Sequence, residues 1–260
     1  MPEHDDIATN FEPSEHDSDE KEMTFLDHLE ELRWRLVRGV LGLVVCVIGC
    51  SFIADWLVNA VILRPSRVID PPLRLINTVP YGQITFYMGV VIVSGLILSM
   101  PWILYQLWKF VEPGLRERER KYVSAIVAST SFCFLSGVAF AYFIMLPYML
   151  KFFTSFGTAG IENLIALSEY MSFVLQLVLI SGLIFELPMV AYFLARFGIL
   201  TPAFMRHYRR HAIVAVMIAA AVITPTTDPV TMLVFALPML VLYEVSIWIA
   251  SIAARKRSAE

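Results

Sequence analysis

Apolar residues run along this chain in long blocks rather than in strict alternation. The blocks cover 37–58, 84–108, 122–150, 171–194, 212–223 and 230–254. A helix needs about 20 apolar residues to cross a hydrocarbon core about 30 Å thick. The pattern therefore predicts an all-α membrane protein of six transmembrane helices, with both termini on one side. The second block reads as broken at Pro101, the third carries Pro147 near its end, and the sixth is interrupted by Pro238 and Glu244. The fifth and sixth read as short. The fifth has 12 residues, which reach only about 18 Å at ~1.5 Å per residue. The turn after it, 224–229, is then expected below the outer surface, inside protein or a thinned bilayer. The loops at 59–83 and 149–170 read as a cap over the shorter helices, which makes the bundle concave and uneven. No internal repeat is apparent, so the paired short spans of inverted-repeat transporters are missing.

Composition sharpens this picture. The 260 residues are 58% hydrophobic and only 17% charged, against about 25% charged in a soluble domain. Such a chain is neither an ordinary soluble enzyme nor intrinsically disordered. The net charge of −3 hides an asymmetry. Residues 1–20 hold eight acids and no Lys or Arg, and read as a disordered cytoplasmic arm. The remainder is +5: a membrane domain over 21–254 and a basic tail over 255–260. Sixteen Lys and Arg fall on one face of the expected topology and four (Arg64, Arg67, Arg74, Lys151) on the other. By the positive-inside rule both termini are cytoplasmic.

Candidate chemistry is sparse. There is no glycine-rich phosphate loop, HExxH or GxSxG pattern. All five histidines lie in the acidic arm or in cytoplasmic segments, so Ser94, Ser99 and Ser136 lack a base at membrane depth. Cys46, Cys50 and Cys133 read as packing residues. No catalysis, metal or other cofactor, or nucleic-acid partner is expected. Glu186 is the sharpest feature, because a charge at mid-span costs about 2.5–3.5 kcal/mol on insertion scales. It reads either as a structural carboxyl satisfying backbone groups freed by Pro188, or as a docking point or proton-linked site. Gln176 reads as polar packing glue between helices. Residues 25–36 carry helical apolar spacing and read as an interfacial helix before the first span. Its Glu30, Glu31, Arg33 and Arg35, taken alone, read as a solvated face. The run Glu112 to Arg120 alternates in sign.

At these residues the chain resembles the TatC family of twin-arginine translocase proteins. The likeness is carried by HLEELRWRL at 28–36, ILYQLWKFVEPGL at 103–115, AFAYF at 139–143, YMSFVLQL at 170–177, FELP at 185–188 and ITPTTDPVTMLVFALPMLVLYE at 223–244. It covers about 23–251 and leaves out the arm. The resemblance implies a cupped six-helix membrane protein of the plasma membrane, in a multimeric complex with TatB-like and TatA-like single-span subunits in the lipid bilayer. It implies capture of twin-arginine signal peptides on folded cargo and export driven by the proton-motive force. Glu31 and Glu119 match the family's signal-binding acids, with Phe110, Leu115 and Arg120 shaping the peptide groove. Glu186 matches its partner-contacting glutamate, with Gln176 near it, and Pro65, Tyr142 and Asp228 align with further family positions. Two guanidinium groups suit two carboxylates, each making paired charge-assisted hydrogen bonds. A different class stays open beside it, a small proton-coupled solute transporter using Glu186.

Overall fold

The computed structural model describes residues 25–70, 72–112, 123–155, 164–223 and 229–258. The acidic arm, Leu115, Glu119, Arg120 and Asp228 lie outside the described residues. The described chain is almost wholly helical. It begins with α1 (Phe25–Phe52), α2 (Ala54–Trp56), a π-helical turn (Leu57–Ile62) and α3 (Arg64–Val68). A short strand β1 (Arg74–Ile76) precedes α4 (Gly82–Val111). Next come α5 (Val123–Phe140), a second π-helical segment (Ala141–Met145) and α6 (Leu146–Ser155). Strand β2 (Leu164–Ala166) leads into α7 (Leu167–Ile184) and α8 (Leu187–Arg196). The chain ends with α9 (Pro202–His207), α10 (Arg209–Ile223) and α11 (Pro229–Ser258).

Among the described residues, five stretches are long and apolar enough to cross a membrane: Leu29–Phe52, Gly82–Val111, Val123–Ser155, Leu167–Arg196 and Pro229–Arg255. The fifth expected span, α10, has 15 residues, about 22 Å of helix at ~1.5 Å per residue. It falls short of a hydrocarbon core about 30 Å thick.

Three expectations about helix ends change. The amphipathic stretch is not a separate interfacial helix but the first turns of the 28-residue α1. Arg33, Trp34, Arg35 and Leu36 contain no Gly or Pro to stop propagation. Pro101 does not break the second span, because α4 runs through it for 30 residues. The sixth helix is not short: α11 is continuous for 30 residues through Pro238. By contrast, Pro147 follows a π-helical segment, and Pro188 follows the two-residue break between α7 and α8. Each removes a backbone donor, which the local change of pitch accommodates.

Helix α1 packs along α4, α4 against α5 and α7, α5 against α7, and α8 along α11. The main core draws Phe86 and Val90 from α4, Ala141 and Leu146 from the third stretch, Val174 and Leu177 from α7, Ala220 from α10 and Phe235 from α11. A second core sets Ala191 and Ala195 of α8 against Ile247, Ala250 and Ala253 of α11. Small residues there let two backbones approach closely without a gap. The two loops expected as a cap are joined by a parallel strand pair, Arg74↔Leu164, Leu75↔Ile165 and Ile76↔Ala166.

Candidate functional site

The 3.6-residue period of α1 puts Glu31, Trp34, Arg35 and Arg38 on one face. With Glu30 they line a cavity of about 290 Å³. Glu31 and Arg35 are partly withdrawn from solvent, each side chain 18% exposed. Arg35 Nε donates to Glu31 Oε1 at 2.8 Å, and a terminal guanidinium nitrogen of Arg35 donates to the same oxygen. Glu31 therefore already holds a guanidinium.

Arg35 also lines a second, almost wholly apolar hollow of about 220 Å³ between α1 and α4. Leu36, Gly39 and Leu43 form its α1 wall, and Ile103, Leu107 and Phe110 its α4 wall. Phe110 thus closes one end of this α4 wall. The hollow is open at Gly39, where a Cβ would meet nothing within 4 Å. One turn further on the helices touch. Trp102 Nε1 donates to the Arg38 carbonyl at 2.9 Å, and a Cβ on Gly42 would lie 2.2 Å from the Trp102 ring. At Gly95 a Cβ would come within 2.9 Å of the Val47 backbone. These contacts fix α1 on α4 as a rigid platform with an open end. Beyond it, Glu112 pairs with Lys109 at 2.7 Å.

Glu186 lies in the break between α7 and α8, and its side chain does not cap α8. Oε1 is buried and has no hydrogen-bond partner among the described residues. The reading in which Glu186 satisfies backbone groups freed by Pro188 is therefore not what the structure holds. Beside it, α5 and α7 approach so closely that a Cβ on Gly137 would lie 2.6 Å from the Ser181 carbonyl and 2.8 Å from Phe185. The Gln176 amide is engaged inside the chain, donating to the Ile223 carbonyl at 2.8 Å.

Pro65 sits in the first turn of α3, directly after the first π-helical turn. The last two carbonyls of that turn are taken by phenols: Tyr142 donates to Val61 at 2.7 Å and Tyr170 to Ile62 at 2.6 Å. Tyr170, Arg35, Gly39 and Trp102 do not stand out as candidates from sequence. The Glu31–Arg35–Gly39 spacing of four was the readable signal, one helix face running from acid to base to gap.

Taken together, these features define a multi-span helical membrane protein with a charged cavity opening beside an apolar groove. Comparison with known proteins places it further. Residues 27–238 match the family model for the Sec-independent protein translocase protein TatC. The chain is 36% identical over 238 residues to the Sec-independent protein translocase protein TatC of Halalkalibacterium halodurans, covering 91% of this chain and 92% of that protein. It is 35% identical over 232 residues to the TatC of Carboxydothermus hydrogenoformans, covering 89% and 94%. A crystal structure of the twin arginine translocase receptor TatC superposes with a TM-score of 0.78 at 32% identity, covering 87% of this chain and 99% of that one. The chain belongs to the TatC family.

Proposed function

We propose that this protein is the receptor subunit that captures twin-arginine signal peptides of folded cargo on the cytoplasmic face. With TatB-like and TatA-like single-span subunits, it exports that cargo across the plasma membrane using the proton-motive force. Glu31 takes one arginine and Glu119 the other, while Phe110, Leu115 and Arg120 shape the groove. Glu186 docks a partner helix, and both termini are cytoplasmic.

One observation carries this reading: the carboxylate cavity at Glu31 and the apolar groove ending at Phe110 adjoin at Arg35. A signal peptide presents its charged and apolar segments in that order. The sequence's basic bias supports the orientation, since the cavity lies at the end of α1 nearest Arg33, Arg35 and Arg38.

The test is binding of a labelled arginine-pair peptide to the full chain in nanodiscs. The double variant Glu31→Gln, Glu119→Gln is expected to lose capture while remaining folded. Undiminished cross-linking of the peptide to that variant sinks the assignment.

A further inference from the structure

We infer that the turn between α9 and α10 binds the headgroup of an anionic phospholipid, held by Arg206 and Arg210. The inference is independent of the signal-peptide reading of the Glu31 cavity.

From Leu187 to Thr227 the chain holds no Asp or Glu, yet Arg206, His207, Arg209, Arg210 and His211 crowd into this one turn. Three of them open α10, where the unpaired N–H groups of a helix already form its positive end. Cations are disfavoured there and an anion is favoured. One acid arrives from α11: Glu244 pairs with Arg209 at 2.7 Å. Arg206 and Arg210 are exposed and have no ion pair among the described residues.

The turn is held in place. The Thr201 side chain accepts from the Phe204 N–H at 3.2 Å, and the carbonyl of buried Met205 accepts from the Tyr243 hydroxyl of α11 at 2.8 Å. Hydrogen bonds run through the break between the helices. The Tyr208 N–H donates to the Phe204 carbonyl at 3.0 Å, and the Ala212 N–H to the Tyr208 carbonyl at 2.9 Å. Arg206 and Arg210, four residues apart, therefore flank a hydrogen-bonded turn.

The surroundings say which anion. Phe204 and Tyr208 are exposed, with ring centroids 4.5 Å apart, and aromatic rings of this kind gather at headgroup level. From Arg210 the exposed Ile213, Val214 and Ile218 follow at helical spacing, an apolar face for acyl chains. Because the 15-residue α10 is too short for a full bilayer, a thinned membrane brings headgroups to its basic end. A lipid phosphate there meets two guanidinium forks, whereas a free phosphate leaves the aromatic and apolar parts unused.

The experiment titrates the full chain in detergent with phosphatidylglycerol or phosphatidylcholine and counts retained lipid by native mass spectrometry. Wild type is compared with the double variants Arg206→Gln, Arg210→Gln and Arg64→Gln, Arg67→Gln, which lose equal charge at two different places. Phosphatidylglycerol affinity is expected to fall about tenfold or more in the first double variant alone, with phosphatidylcholine unchanged. Both sites are exposed, so thermal unfolding in phosphatidylcholine nanodiscs should match wild type. Equal loss in the two double variants reduces the effect to general charge attraction and overturns the site. Displacement of the lipid by an equal concentration of glycerol phosphate makes it a soluble-anion site and overturns the lipid assignment. Retained phosphatidylglycerol in Arg206→Gln, Arg210→Gln overturns it too, and loss of co-purifying single-span subunits in that case gives the patch to a protein partner.

Discussion

Gln176 Nε2 lies 2.8 Å from the carbonyl oxygen of Ile223, so a side chain of α7 caps the last residue of α10. The last carbonyls of any helix lack intrahelical donors. At membrane depth no bulk water replaces them, and an unsatisfied group there costs several kcal/mol. A 15-residue helix that stops short of a full crossing needs such a partner. Its other end is tied as well, since Arg209 donates to Glu244 Oε2 of α11 at 2.7 Å. The short helix is thereby held at both ends by its neighbours.

Replacing Gln176 with Leu keeps the volume close and removes the donor. The expected loss is about 1–3 kcal/mol, the cost of leaving one buried acceptor unsatisfied. Thermal unfolding of the full chain in nanodiscs reads it directly. Gln176→Glu does not restore stability, because an ionised carboxylate only accepts hydrogen bonds. A Leu variant as stable as wild type removes the capping role.

The two phenols on the first π-helical turn make a second prediction. Tyr170 is fully buried, and its hydroxyl answers the Ile62 carbonyl next to the one bonded by Tyr142. Tyr170→Phe is expected to cost about 1–3 kcal/mol and Tyr142→Phe somewhat less, since the former site is drier. Because both act on one turn, the double variant should lose less than the sum. A strictly additive double-mutant cycle would contradict the shared-turn argument.

The long spans were legible because each is a run of apolar residues far longer than any soluble core helix needs. The shortness of α10 was legible for the same reason, as the run from Ala212 to Ile223 simply ends too early. Strands β1 and β2 were not, because three residues such as Arg74–Ile76 are too few to display a period of two. The continuity of α4 and α11 was also hidden. Pro101 and Pro238 remove one hydrogen bond each, and tertiary packing of 30-residue helices outweighs that loss. At the site, Glu31 stood out only through its family motif, whereas its partner Arg35 was four residues away in plain view. What no local pattern encodes is the groove, which is open at Gly39 between two helices distant in sequence.

That open space can be filled. A Cβ at Gly39 meets no atom within 4 Å, so Gly39→Leu adds apolar volume without a clash and improves helix propensity by up to about 1 kcal/mol. The protein should be as stable as wild type or more so. On the signal-peptide reading, the same substitution weakens binding of a peptide with a full apolar segment about tenfold or more. A peptide truncated just after its arginine pair should bind the variant and wild type alike. Equal loss for both peptides would place the effect at Glu31 rather than in the groove.

Glu186 separates structural from assembly roles by the sign of its effect on stability. A half-buried carboxyl whose buried Oε1 has no hydrogen-bond partner among the described residues destabilises the isolated chain. Glu186→Ala should therefore unfold at the same temperature as wild type or a higher one. Docking of a polar single-span helix would satisfy that oxygen, and the Ala variant forfeits this bond at membrane depth. On the proposed reading, co-purification of the single-span subunits should fall severalfold in Glu186→Ala and be partly kept in Glu186→Gln, whose amide still bonds. Peptide binding at the Glu31 cavity should not change. An Ala variant that loses stability yet assembles normally would make Glu186 a structural residue after all.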